Sequence, residues 1–167
     1  MILAIDSCSI ILLAKAMVLE ELAKWRKIMI TKEVFNEVLE GKDKKLLDAL
    51  VLERLVKERI IIIKENINKK LIQKFKTDFG LGGGEAGSIA LALESEDKAI
   101  ITDNKQGRKA AKIQRLKLSG SIDVIMALYK LNKISKEKAI GALKVLKGQG
   151  WFQDYLIETA LQEVQDG

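Results

Sequence analysis

Ile60-Ile61-Ile62-Ile63 is the segment that most restricts the architecture open to this chain. Four β-branched residues in succession suit a strand buried on both faces, as in a parallel sheet covered by helices. Around that run, short apolar stretches alternate with helical patterns. Ile2–Ile5 is a strand candidate, and residues 9–24 follow with Leu12, Leu13, Ala16, Leu19 and Leu22 at helical steps. Lys27–Ile30 is a second strand, and Thr31 is suited to cap a helix through Leu39 that stops at Gly41. A helix near 44–56 leads into the isoleucines, and one near 67–78 ends at Gly80-Leu81-Gly82-Gly83-Gly84. Then come a helix at 85–95, a strand at 98–102, a basic helix at 105–115 and a short strand near 117–119. Helices near 121–131, 135–147 and 151–165 follow. This alternation specifies an α/β fold, a parallel sheet of four to five strands with helices on both faces and a helical C-terminal part packed on it. With 167 residues and no repeat, low-complexity tract or linker, one domain over 1–167 is expected.

The composition narrows the chemistry. There is no histidine and one cysteine. Histidine-based acid–base and triad mechanisms are thereby excluded, as are His-ligated metals, multi-cysteine clusters and an internal disulfide. Catalysis near neutral pH must draw on carboxylates, Lys, Tyr, hydroxyls or a metal held by oxygen. The apolar N-terminus has no basic flank and is interrupted by Asp6. No stretch reaches the roughly 18 apolar residues of a membrane span. A cytoplasmic protein without membrane association is expected.

Sites in open parallel sheets form at the carboxyl ends of strands. Asp6 directly follows the first strand and Asp103 the Lys98–Thr102 strand. Two buried, mutually repelling carboxylates suit a hard divalent cation, which prefers oxygen ligands. Alternatively, each merely caps the helix after it. Glu85 opens a helix behind the glycine run, which permits close backbone approach. Glu33, Glu37 and Glu40 share one helix, and spacing does not choose among them. Gly82-Gly83-Gly84-Glu85-Ala86-Gly87 formally matches a dinucleotide-binding loop, but it follows a helix and places a carboxylate where pyrophosphate needs bare amides. A dehalogenase-type phosphatase needs an Asp two residues after Asp6, where Cys8 stands, and a receiver needs an acceptor Asp after its third strand, where Ile63-Lys64 stand.

Residues 104–117 carry Lys105, Arg108, Lys109, Lys112, Arg115 and Lys117 and no acid, matching the net charge of +6 of the whole chain. Arg108, Lys112 and Arg115 are spaced to form a stripe, suited to phosphates beside Asp103. Residues 130–147 add a second basic region of six lysines against Glu137. Eight aromatic residues are too few for extended base stacking, so backbone-directed binding is expected.

Taken in order, these segments resemble PIN-domain ribonucleases, in particular the toxin subunits of VapBC-type toxin–antitoxin pairs and the prokaryotic branch with a GEA helix. The resemblance rests on Asp6-Ser7, on Ile30 to Val38, on Gly82-Gly83-Gly84-Glu85-Ala86-Gly87-Ser88-Ile89-Ala90-Leu91-Ala92, and on Ile101-Thr102-Asp103 with Gly107-Arg108-Lys109-Ala110-Ala111. It implies a three-layer PIN-like domain and a metal-dependent endoribonuclease with an acidic quartet of Asp6, Glu37, Glu85 and Asp103. Asp6, Glu85 and Asp103 would bind one or two Mg²⁺ or Mn²⁺ ions. Ser7 would lie beside the first Asp and Thr102 would support the last. Asn104 replaces a second Asp found in many relatives, and Asp123 is a candidate to compensate. Lys105, Arg108, Lys109, Lys112 and Arg115 would hold RNA. A small antitoxin and a homodimer are the implied protein partners. The alternative function is a catalytically silent PIN-like module that binds RNA or protein.

Overall fold

A computed structural model describes residues 1–40, 46–149 and 152–167. Its five strands are β1 (Ile2–Ile5), β2 (Lys27–Thr31), β3 (Ile61–Lys64), β4 (Ala99–Ile101) and β5 (Lys117–Ser119). All pair in parallel, in the order β3-β2-β1-β4-β5. The chain therefore builds outward from β1 to β3, then crosses back to lay β4 and β5 on the other side of β1. That reversal opens a crevice at the carboxyl ends of β1 and β4.

The helices described are α1 (Ser7–Lys15), α2 (Leu19–Trp25), α3 (Lys32–Leu39), α4 (Leu47–Lys57), α5 (Lys69–Phe79), α6 (Gly83–Glu94), α7 (Lys105–Ile113), α8 (Ser121–Lys130), α9 (Lys136–Gly148) and α10 (Asp154–Asp166). Strand periodicity divides them into layers, because alternate residues face opposite sides of a sheet. Leu3, Ile5, Ile28, Ile30 and Ile101 enter the core shared with α1 to α4 and α8. Ala4, Met29, Ile100 and Leu118 enter the core shared with α5, α6 and α7. Removing one such isoleucine from water contributes about 2 kcal/mol. The C-terminal helices α9 and α10 pack on each other and on α8. The fold is the expected α/β arrangement of a parallel sheet between helical layers.

Three local expectations change. The isoleucine run is an edge strand rather than one buried on both faces: among the described residues β3 has only β2 as a neighbour, Ile61 is buried, and Ile62 and Ile63 are half-buried. Residues 9–24 form two helices, because Met17 turns the chain at φ 61°. Its N–H donates to the Ala14 carbonyl and the Val18 N–H to that of Leu13, a Schellman closure made without glycine. Arg115 ends α7 in the same way at φ 58°, with its N–H on the Lys112 carbonyl and the Leu116 N–H on that of Ala111. It therefore stands beyond the helix, and the expected stripe through Arg115 is broken. The expected stop at Gly41 and the starts near 44 and 151 lie outside the described residues. Among those residues, no helix is long and apolar enough to cross a membrane.

Candidate active site

Asp6 and Asp103 emerge from the crevice between β1 and β4. The Asp6 N–H still reaches the Ile101 carbonyl at 3.4 Å, which holds the two strand ends together. Asp6 is 1% exposed and caps α1: Oδ1 accepts the Ser9 N–H at 2.9 Å, and Oδ2 accepts the Thr102 hydroxyl at 2.5 Å. Burial pushes its carboxyl up to about 6, with the Asp103 charge acting in the same direction and the Thr102 and Ser9 bonds opposing it. Asp103 is tied on both oxygens. Oδ1 accepts the Ser121 N–H at 2.8 Å, while Oδ2 accepts the Ser121 hydroxyl at 2.5 Å and the Ser9 hydroxyl at 2.8 Å. The Ser9 hydroxyl also accepts the Asp103 N–H at 3.0 Å. Ser9 thus touches both aspartates, one through its backbone and the other through its side chain.

The glycine run brings the glutamates in. Glu85 lies in the first turn of α6, and its Oε2 accepts the Gly82 N–H at 3.1 Å. Glu37 reaches across from α3 and lies against Gly84, where an added Cβ would come within 2.5 Å of Oε2. Its Oε2 also accepts the Ser7 hydroxyl at 2.6 Å. Glu33 occupies the equivalent place over Gly83, where a Cβ would meet Oε1 at 1.9 Å. Two carboxylates are thereby seated at the positive end of α6, where the helix dipole favours them. Cys8 lies in the field of both aspartates and of Glu85. Burial, followed by the charges of Asp6, Asp103 and Glu85, pushes its thiol far above the ordinary thiol range, so it stays protonated.

The supporting residues are partly redistributed. Thr102 orients Asp6 rather than Asp103, because its hydroxyl points back across the β1–β4 junction. Ser7 serves Glu37 rather than Asp6. Asn104 caps α7, its Oδ1 accepting the Gly107 N–H at 2.8 Å, which commits that oxygen to the helix. Asp123 is exposed and accepts the Gly120 N–H at 2.7 Å in the first turn of α8. Ser9 and Ser121, both fully buried, were not marked by the sequence. A serine three residues into a helix, or one following a glycine, carries no local sign of a bond formed 94 or 18 residues away.

The basic residues also divide. Lys105, Lys109 and Lys112 are exposed on α7, whereas Arg108 turns inward and donates to the Thr102 carbonyl at 3.0 Å. It lines a pocket of about 370 Å³ with Asp103 and Asp123, walled by Ile122, Phe152 and Leu156. Half of the six lysines of the second basic region are paired with carboxylates. Lys130 pairs with Glu163, Lys138 with Glu21 and Lys147 with Glu158, while Lys136 donates to C-terminal carbonyls.

Among the described residues, no three acidic or cysteine side chains are drawn up as a finished metal centre. The donor chemistry nevertheless fits a hard divalent ion. The quartet offers only carboxylate oxygens, each with lone pairs beyond those its hydrogen bonds use. The repulsion that helps raise Asp6 is the kind a cation relieves. Neither a curated protein nor a solved structure matches the chain. A family model described as the PIN domain matches residues 2–166, and the chain belongs to the PIN-domain family.

Proposed function

We infer that this chain acts as a nuclease, because PIN domains are typically nucleases that use divalent metal ions. We propose that this chain is an endoribonuclease in which Asp6, Glu85 and Asp103 hold one or two Mg²⁺ or Mn²⁺ ions and Glu37 completes the acidic group. The observation that carries this reading is Ser9, which ties the carboxylates of two neighbouring strand ends into one unit at the topological switch point. When bound, the ion supplies Lewis acidity, stabilising charge on a phosphate oxygen and acidifying the attacking water. The chain's own groups prepare the place. Thr102 and Ser9 fix the carboxylate plane of Asp6, Ser9 and Ser121 fix that of Asp103, and Ser7 fixes Glu37. In this reading Lys105 and Lys109, exposed on α7, and Arg108 beside Asp103 would meet the RNA phosphates.

The test compares purified wild type with Asp6→Asn and Asp103→Asn on RNA with Mn²⁺, using EDTA as a control. Loss of cleavage in both variants is expected. Equal cleavage by either, or cleavage that survives EDTA, overturns the assignment. The spread of the acids favours a second reading, a PIN-like module that binds without turnover. Metal binding by calorimetry with no cleavage would select it. The toxin role, the antitoxin and the homodimer follow from the sequence resemblance, and co-purification with the product of a neighbouring small reading frame tests them.

A further inference from the structure

A second cationic surface borders the acidic group on the side opposite α7. The groove lies between the carboxyl ends of β2 and β3 and is lined by Thr31, Lys32, Glu33, Lys64, Lys69 and Gly87, among others. Thr31 and Lys64 are register partners, so the ends of both strands open into it. It is continuous with the candidate active site through Glu33, whose carboxylate lies over Gly83 at the start of α6.

The lysines here are placed against the demands of stability. Lys32 and Lys69 are the first residues of α3 and α5, immediately after their caps Thr31 and Asn68. Cations at that position oppose the helix dipole. Lys105 occupies the same place in α7, behind Asn104. The contrast is Lys136, which also opens its helix but is engaged by carbonyls of Gln165 and Gly167. Lys64, Lys69 and Lys105 form no ion pair with a described carboxylate, and Lys32 rests 5.0 Å over the Phe35 ring. These cations are exposed and available to an anion. Sequence spacing did not reveal them as a group because Lys32 and Lys64 come from different strand ends, brought together only by the β2–β3 register.

We propose that the phosphates of a single-stranded nucleic acid are held by Lys32, Lys64 and Lys69 in this groove, so that the strand crosses the acidic group and continues past Lys105 and Lys109. The proposal rests on the nuclease reading for its substrate class, but its binding test requires no turnover. Glu33 and Glu65 also line the groove.

The experiment measures anisotropy of a fluorescein-labelled RNA strand in EDTA across a salt series. It uses wild type, the triple variant Lys32→Ala/Lys64→Ala/Lys69→Ala, and a control of equal charge loss, Lys27→Ala/Lys57→Ala/Lys117→Ala, placed at or near the amino edge of the sheet. All six lysines are exposed, and thermal melts verify folding. The groove variant should bind at least tenfold more weakly at low salt. Its plot of log K against log salt should be shallower by about 2, from about 0.7 per lost phosphate contact on single strands. The control should change less than threefold. Equal losses in both triples, an unchanged groove variant, or a wild type that does not bind RNA overturns the proposal. With Mn²⁺ and cleavage intact, the groove variant should raise KM and leave kcat unchanged. A wild type that binds through the groove but never cleaves refutes the nuclease reading while leaving the groove standing.

Discussion

Asp6→Asn should make this protein more stable at neutral pH while removing its proposed activity. Asp6 is buried, and its carboxyl rises from an ordinary 3.8 to about 6. The folded form therefore binds the proton more tightly than the unfolded chain. Between about pH 4 and 6 the stability falls as pH rises, and above about 6 the charged carboxylate costs about 3 kcal/mol. Below about 4 both states hold the proton and the cost vanishes. Asparagine removes the charge and can still accept the Ser9 N–H. Its amide nitrogen, however, offers no acceptor to the Thr102 hydroxyl, a loss of about 1 kcal/mol. The net gain is about 2 kcal/mol at pH 8, or about 4–8 °C in melting temperature for a chain of this size. Thermal or urea unfolding in EDTA at pH 4 and pH 8 measures it. At pH 4 the variant should be no more stable than wild type. Equal or lower stability at pH 8, or a gain independent of pH, refutes the reasoning. Mn²⁺ should narrow the difference at pH 8, because it stabilises the carboxylate form alone.

Three further outcomes are expected. Gly84→Ala places a methyl where the Glu37 carboxylate lies, and that flexible end can yield; folding should survive with a melting temperature within a few degrees, while Glu37 leaves Ser7 and RNA cleavage falls at least tenfold. Calorimetric Mn²⁺ affinity should weaken below about pH 6, since Asp6 must lose its proton to bind the ion; an affinity flat from pH 5 to 8 would remove Asp6 from the ligand set. Met17→Gly should stabilise by about 1 kcal/mol in urea unfolding, because Met17 is exposed and holds a left-handed conformation that glycine adopts without strain.

The layers of the fold were readable because periodicity reports burial directly. The short apolar runs of β1 and β2, the cap at Thr31 and the glycine end of α5 are local properties, and each appears where the residues indicate. The edge position of β3 was not readable, since an isoleucine run records apolar character but not the number of neighbouring strands. The division between α1 and α2 was hidden for a different reason. Met17, Arg59, Arg115 and Asn132 all close helices with positive φ, and none is the glycine that usually announces such an end. At the candidate site, Asp6 and Asp103 were legible as strand-end acids. Both Glu33 and Glu37 find glycine seats on α6, and it is the Ser7 hydroxyl, bonded to Glu37, and the exposure of Glu33 that separate them. The hydroxyls of Ser9 and Ser121 depend on a register that forms only when β4 pairs with β1.

That pairing sets the time at which the acidic group can exist. Ile5 meets Ile101 across the central strand junction, and Asp6 has no Thr102 or Asp103 beside it until β4 has docked. A chain still emerging from the ribosome carries Asp6, Glu37 and Glu85 for many residues before the fourth strand is made. Contacts of such long sequence separation form late, after their loop closure has been compensated by the packed sheet. Copies in which β4 has not yet docked therefore lack the joined carboxylates, and the proposed hydrolysis would belong only to molecules that have finished folding.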